Sequence, residues 1–250
     1  MTKKKIDEKK PRVITYSANF VGTTEEIHIS TDSNGVLNMR TKSGQIPLYD
    51  KAMWVGYERP KGEKKLNYFT DALTNNPNRE LEIKYNQIYG VDTNSKLYNN
   101  RLHVLSVLTK CEIINAHDQG GEVSCKIRQV MSWEYETQQE NLEQQAWWFA
   151  CEYILKECAI FSNPQIALVT DCDLGNILRY NKRELPIVED KFLPPQIQLV
   201  YGSADSGKEF IPNAIISYTD KKATEYLNMK IKGNLSPSLS KRDLNGTGDD

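Results

Sequence analysis

The sequence predicts an α/β fold, in which a mixed sheet with the element order β-β-β-α-β-α-β-α is preceded by a β-rich region. From residue 87 onward, segments typical of strands and of helices follow one another in this order. Two short runs, IALVT and IQLVY, are apolar throughout, which is typical of strands buried on both faces. A longer segment before them has apolar residues at helical spacing. We therefore expect helices to cover the sheet.

Three strands open this part of the chain. The first is QIYGVDTN, which brings Asp92 to its end, and the second is RLHVLSVLTKCEIIN. The third is GEVSCKIRQVMSWEY. The turn Gln119-Gly120-Gly121 separates the second strand from the third and favours a hairpin between them.

The first helix is expected from about Gln138 to Cys158. Its apolar stripe consists of Leu142, Ala146, Phe149, Ala150 and Tyr153. The segment from Thr137 to Glu140 has the form of a capping box, which indicates that the helix begins near Thr137.

Two strand–helix pairs complete the order. IALVTD is the fourth strand, and DLGNILRY begins a short helix. Pro194 and Pro195 precede the fifth strand, IQLVYGSA, and a final helix runs from about Pro212 to Tyr226. These elements define a predicted domain at residues 86–230.

The region from residue 11 to residue 85 predicts short strands, such as EEIHIST and VLNMRTK, separated by turns. We expect no helix there, and NPNRE at 76–80 is the expected boundary. The region is a candidate for gripping substrate, binding a protein partner or forming a dimer. The tails at 1–10 and 231–250 are expected to be disordered because they have almost no apolar residues.

The composition indicates a soluble globular protein. The chain is 39% hydrophobic and 26% charged, and no apolar run is long enough to cross a bilayer. Its polar start does not resemble a secretory signal, and the five scattered cysteines suggest neither a disulfide framework nor a zinc site. We expect a cytoplasmic location. The net charge of −1 provides no global attraction for nucleic acid.

Four acidic residues are expected to meet at one edge of the sheet. Asp92 and Asp171 end strands, Glu143 lies early in the first helix, and Asp220 lies in the last helix. Clustered carboxylates raise one another's pKa and cost stability, so such a cluster needs a compensating positive charge. Carboxylate oxygens are the hard ligands that Mg²⁺ and Mn²⁺ prefer. The pattern therefore predicts a site for divalent cations.

The first-strand position has two competing residues, Asp32 and Asp71. We prefer Asp92 because it alone leaves two strands, with short connections, before the helix.

The other three positions also have alternatives. Glu140 competes with Glu143, but it already has a sufficient role in the capping box. Asp173 could substitute for Asp171, which could itself cap the next helix. Asp205, in the loop after the fifth strand, is nearly equal to Asp220 as a candidate, and both could contribute.

The ordered set of motifs at residues 87–226 resembles the ribonuclease H-like superfamily. TQQENLEQQAWWFACEYILKE and IALVTDCDLGNI resemble the glutamate-bearing helix and the following strand of ribonuclease H. IQLVYGSADSG resembles the fifth strand with its loop, and DKKATEYL resembles the last helix, which carries the fourth acid. The sequence departs from ribonuclease H in that loop, where Ser203 stands in place of a histidine.

The resemblance implies a reaction and its ligands. Asp92, Glu143, Asp171 and Asp220 would hold two Mg²⁺ or Mn²⁺ ions, and Asp205 is a further catalytic candidate. The implied reaction is hydrolysis of a nucleic-acid phosphodiester bond, in DNA or RNA, by in-line attack of water, with a 3′-hydroxyl as leaving group. The alternative is a catalytically inactive scaffold or interaction protein that binds nucleic acid or a protein partner. The near-neutral charge and Ser203 favour this alternative.

Overall fold

The computed structural model describes residues 12–17, 25–31, 37–41, 77–116, 122–136, 142–171, 174–202 and 211–233. The predicted tail at 1–10 lies outside these ranges, and so does the second tail beyond residue 233. The predicted turn at 119–121 and the predicted capping box at 137–140 also lie outside them.

The eight elements predicted from residue 87 onward are confirmed in type and order, and four further elements precede them within the residues that the structure describes. In chain order the elements are β1 (Arg12–Ser17), β2 (Glu25–Thr31), β3 (Leu37–Thr41), α1 (Pro77–Lys84), β4 (Gln87–Tyr98), β5 (Arg101–Asn115), β6 (Glu122–Glu136), α2 (Leu142–Glu157), β7 (Ile166–Thr170), α3 (Leu174–Asn181), β8 (Ile197–Tyr201) and α4 (Ile211–Ile231). The chain therefore has an α/β fold.

The described strands form one mixed sheet. Its order is β3-β2-β6-β5-β4-β7-β8, and β1 pairs with β6. Strands β4, β5 and β6 pair in antiparallel fashion, whereas β7 is parallel to β4 and β8 is parallel to β7. The continuously apolar sequences of β7 and β8 suit this arrangement, because parallel strands are normally covered on both faces.

Strand β6 has partners along both edges. One edge pairs with β5, and the other pairs with β2 through residues 122–127 and with β1 through residues 131–136. Strands from the N-terminal region thus extend the sheet that the later strands form. Both parts of the chain, 11–85 and 86–230, contribute strands to this one sheet. The domain boundary between them stays a prediction.

Helices lie on both faces of the sheet. Successive residues of β7 alternate between two apolar clusters: Ile166 and Leu168 pack with α2 and α3, and Ala167 and Val169 pack with α1 and α4. Trp147 on α2 is fully buried, as expected for a core aromatic residue. Within the described ranges, no helix has both the length and the apolar character needed to cross a membrane.

Helix α1 corrects the expectation that residues 11–85 contain no helix. Pro77 stands at the first helical position, where its missing N–H costs nothing. Leu81 and Tyr85, four residues apart, are buried against the α4 side of the sheet. The side chain of Asn78 accepts a hydrogen bond of 2.8 Å from the backbone N–H of Ile211, at the start of α4. The segment read as a boundary therefore anchors the last helix.

Strands β4 and β5 form a hairpin that extends past their neighbours. Asn99 and Asn100 make its turn, with φ angles of 50° and 58°. Positive φ at both central residues is typical of the tight turns that match strand twist. Strand β7 pairs with β4 only at residues 87–90, and β6 pairs with β5 only from residue 105 onward. We call residues 95–104 the hairpin arm.

Candidate functional site

Asp92 lies where the parallel pairing of β4 ends. Gly90 is the last β4 residue that pairs with β7, and its partner is Val169. Asp171 follows β7 directly and is two residues beyond Val169. In a parallel register, equal steps from Gly90 and Val169 bring Asp92 and Asp171 to the same level of the sheet. The two predicted strand-end aspartates are therefore neighbours.

The four predicted carboxylates interact electrostatically at this place. Burial and the negative charges of Asp220, Glu143 and Asp171, in that order of effect, raise the pKa of Asp92 from 3.8 to about 7. A hydrogen bond from the backbone N–H of Thr93 acts in the opposite direction. Four elements that are distant in the sequence thus bring their acids to one site.

One oxygen of Asp92 lacks a partner. Its Oδ2 atom is buried and has no hydrogen bond within the described part of the chain. A buried polar atom without a partner is costly, and the cost is greater for a carboxylate. Neighbouring acids add repulsion to this cost. The arrangement therefore favours either a proton or a cation at Asp92.

Asn94 holds Asp220 toward the sheet. Its Nδ2 atom donates to Asp220 Oδ1 at 2.9 Å and to the Asp220 backbone oxygen at 3.3 Å. The same nitrogen lies 3.0 Å from Thr224 Oγ1, one turn further along α4. Asn94 is two residues beyond Asp92, so both side chains leave the same face of β4. Asn94 was not among the predicted site residues.

Close packing sets the distance between α4 and β4. A Cβ atom built on Gly90 would lie 2.2 Å from Ile215 Cγ2, so only a glycine allows the observed approach. Beside it, the hydroxyls of Thr109 and Thr219 are 2.8 Å apart in the interior. Thr219 directly precedes Asp220. Helix α4 therefore packs closely against β4 beside Asp220.

Glu143 belongs to the first turn of α2. Glu143 as a whole residue is exposed, but its carboxyl group is partly buried. This burial raises the pKa of Glu143, and the negative charge of Asp171 raises it further. One turn later, Trp147 Nε1 donates a 3.0 Å hydrogen bond to Thr170 Oγ1. Thr170 is the residue before Asp171. This bond fixes the start of α2 against the end of β7.

The donor set suits a hard divalent cation, since it consists of carboxylate oxygens. Across the described residues, however, no three His, Cys, Asp or Glu side chains have the spacing of a formed metal site. The carboxylates are therefore close enough to shift the pKa values of Asp92 and Glu143, while their side chains do not converge on one point. Rotation of these side chains would be needed to close a coordination sphere.

Several alternative acids lie outside the described residues: Asp32, Asp71, Glu140, Asp173 and Asp205. Arg183 lies in the connection between α3 and β8. Its guanidinium donates to the backbone oxygens of Asn181, Leu193 and Pro194. It therefore stabilises the connection between α3 and β8.

Protein-family models, curated proteins and solved structures were all compared with the chain, and none of them matches it.

Proposed function

We propose that the chain is a metal-dependent nuclease that hydrolyses phosphodiester bonds of nucleic acid through its carboxylate cluster. The observation that carries this proposal is the position of Asp92: strand register brings it level with Asp171, Asn94 on the same face of β4 bonds Asp220, and the charges of Asp220, Glu143 and Asp171 raise its pKa. Like charges that lie close together destabilise a fold unless opposite charge neutralises them. Divalent cations supply that charge and prefer carboxylate oxygens as ligands. The element order and motifs that resemble the ribonuclease H-like superfamily support the same reading.

The residues of the site would have two roles, holding metal ions and positioning a carboxylate. Asp92, Glu143, Asp171 and Asp220 would hold two Mg²⁺ or Mn²⁺ ions. When bound, such ions stabilise the charge on the attacking and leaving oxygens of an in-line phosphoryl displacement. Asn94 would keep the carboxylate of Asp220 turned toward Asp92. The catalytic contribution of the protein is then positioning and electrostatics.

The test is a cleavage assay with purified protein and Mg²⁺ or Mn²⁺. Labelled single strand, duplex and RNA–DNA hybrid are the substrates, and EDTA is the metal-free control. We expect cleavage of at least one of them, and Asp171→Asn should lower the rate by about 100-fold or more. Asp190→Asn, an exposed aspartate between α3 and β8, is the matched control and should leave the rate unchanged. Cleavage that Asp171→Asn does not affect would contradict the proposal.

A second candidate is an inactive scaffold that keeps the fold and binds nucleic acid or a protein partner. The absence of a formed three-ligand group among the described residues favours it. The same assay separates the two, because the scaffold cleaves none of the substrates. Calorimetry with Mn²⁺ provides a second readout: the nuclease should bind Mn²⁺ through Asp92 and Asp171, and the scaffold should not.

A further inference from the structure

The hairpin arm is exposed although it carries large apolar side chains. Leu97 is 69% exposed, Tyr98 is 44% exposed and Leu102 is 46% exposed. A two-stranded hairpin alone has little stability in water, so the arm depends on contacts at its base. Those contacts come from α4: Asn94 bonds Asp220 and Thr224, and Lys96 Nζ lies 3.4 Å from Asn228 Oδ1.

The arm is also the place where positive charge adjoins the acidic cluster. Between residues 95 and 104 the chain has no acidic residue, and it carries one lysine, Lys96, and one arginine, Arg101. A polyanion would be repelled by the four carboxylates and attracted by neighbouring cations. With a net charge of −1, the whole chain offers no general attraction, so binding has to rely on local positive charge.

Register places both cationic side chains of the arm, Lys96 and Arg101, on the same face as Asp92. Asp92, Lys96 and Tyr98 lie on one face of β4, because even-numbered steps along a strand return to the same face. Lys96 pairs with His103 across the hairpin, and Tyr98 pairs with Arg101, so these partners share that face. Lys96 is about 13 Å along the strand from Asp92. The rings of Tyr98 and His103 are 6.4 Å apart and tilted by 56°.

We infer that the hairpin arm binds one nucleic-acid strand beside the carboxylate cluster. Lys96 and Arg101 contact phosphates of the strand, and Tyr98 stacks on a base. This inference rests on the proposed function for its choice of ligand. The arm then supplies the affinity that the acidic site cannot, and it guides the strand across Asp92.

The test measures binding apart from cleavage. The full chain is titrated in EDTA against fluorescein-labelled single-stranded DNA, single-stranded RNA and RNA–DNA hybrid, and fluorescence anisotropy is recorded at several salt concentrations. Lys96→Ala with Arg101→Ala should weaken binding on the order of 10-fold. It should also lower the salt slope on single strands by about 1.4, or about 0.7 for each phosphate contact. The three probes decide between DNA and RNA.

Matched variants separate the arm from charge in general. Lys84→Ala with Lys156→Ala removes two exposed lysines at the opposite end of the sheet and should leave affinity and salt slope unchanged. Tyr98→Ala should weaken binding by about 5- to 150-fold, and Tyr98→Phe should not. Circular dichroism and thermal melting verify that each variant folds.

Each outcome decides something. We call Lys96→Ala with Arg101→Ala the arm variant, and Lys84→Ala with Lys156→Ala the control variant. The inference is overturned if both variants lose the same affinity, or if the unchanged chain binds none of the probes. Weaker binding by the arm variant supports it, even where the unchanged chain cleaves nothing with Mg²⁺ or Mn²⁺. In that case the nuclease proposal fails and the arm remains a binding surface. Cleavage and binding that are both indifferent to the arm variant reject the arm and leave the nuclease proposal standing.

Discussion

Replacing Asp92 by asparagine should stabilise the protein above pH 7 when no divalent cation is present. The folded state raises the pKa of Asp92 from 3.8 to about 7, so the folded protein binds this proton more tightly than the unfolded chain does. The free energy of unfolding of the unchanged protein therefore falls as the pH rises from about 4 to about 7, and then levels off. Asparagine cannot ionise, so the variant escapes this loss.

The size of the effect follows from the shift. Each pKa unit corresponds to about 1.4 kcal/mol, so a shift of about 3 units gives about 4 kcal/mol at pH 8. The amide keeps the shape of the carboxylate and can still accept the hydrogen bond from the N–H of Thr93. The gain should shrink through the pH range from 7 to 4 and disappear below it.

Urea unfolding in EDTA, followed by tryptophan fluorescence between pH 4 and pH 8, measures this difference. Asp190→Asn is the control, and it should change the free energy of unfolding by less than about 0.5 kcal/mol at every pH. If Asp92→Asn is no more stable than the unchanged protein at pH 8, burial and the neighbouring carboxylates do not raise the pKa of Asp92, and the reasoning fails.

Other perturbations test the surroundings of the site. Mg²⁺ or Mn²⁺ should raise the unfolding midpoint of the unchanged protein at pH 8 more than that of Asp92→Asn; equal increases would show that the ions bind elsewhere. In the cleavage assay, Asn94→Ala should lower kcat more than it raises KM, because it frees the carboxylate of Asp220. It should also lower the free energy of unfolding in urea by about 1–2 kcal/mol. Gly90→Ala should cost about 1–3 kcal/mol in the same assay, since its Cβ would collide with Ile215. Trp147→Phe should cost about 2 kcal/mol by leaving the buried hydroxyl of Thr170 without its donor, and an unchanged stability would show that this bond contributes little.

The elements from residue 87 onward were predictable because their signals are local. Strands β7 and β8 are short apolar runs, and α2 has a broad apolar stripe. Helix α4 continues to Ile231, beyond the expected end at Tyr226, because Leu227 is buried and Met229 and Ile231 pack beside it. Tertiary packing thus extends the helix through residues that alternate between apolar and polar in the sequence.

Helix α1 and Asn94 escaped prediction for different reasons. The eight residues of α1 have a weak apolar pattern, and the two buried positions that secure the helix become evident only when α4 lies beside them. Pro77 followed by a polar turn was a usable signal, but it also suits a boundary. The role of Asn94 depends on a helix 126 residues away, so no local pattern could indicate it.

The span between Asn94 and Asp220 has a consequence for how the molecule matures. During synthesis, β4 and β7 leave the ribosome well before α4, which brings Asp220 and the clamp on Asn94. Contacts between segments so distant in the chain form late, because a long loop has to close first. We therefore expect a nascent chain that ends before α4 to hold an incomplete acid cluster. Until α4 is made, such a chain would lack the fourth carboxylate and the hydrogen bond that Asn94 donates to it.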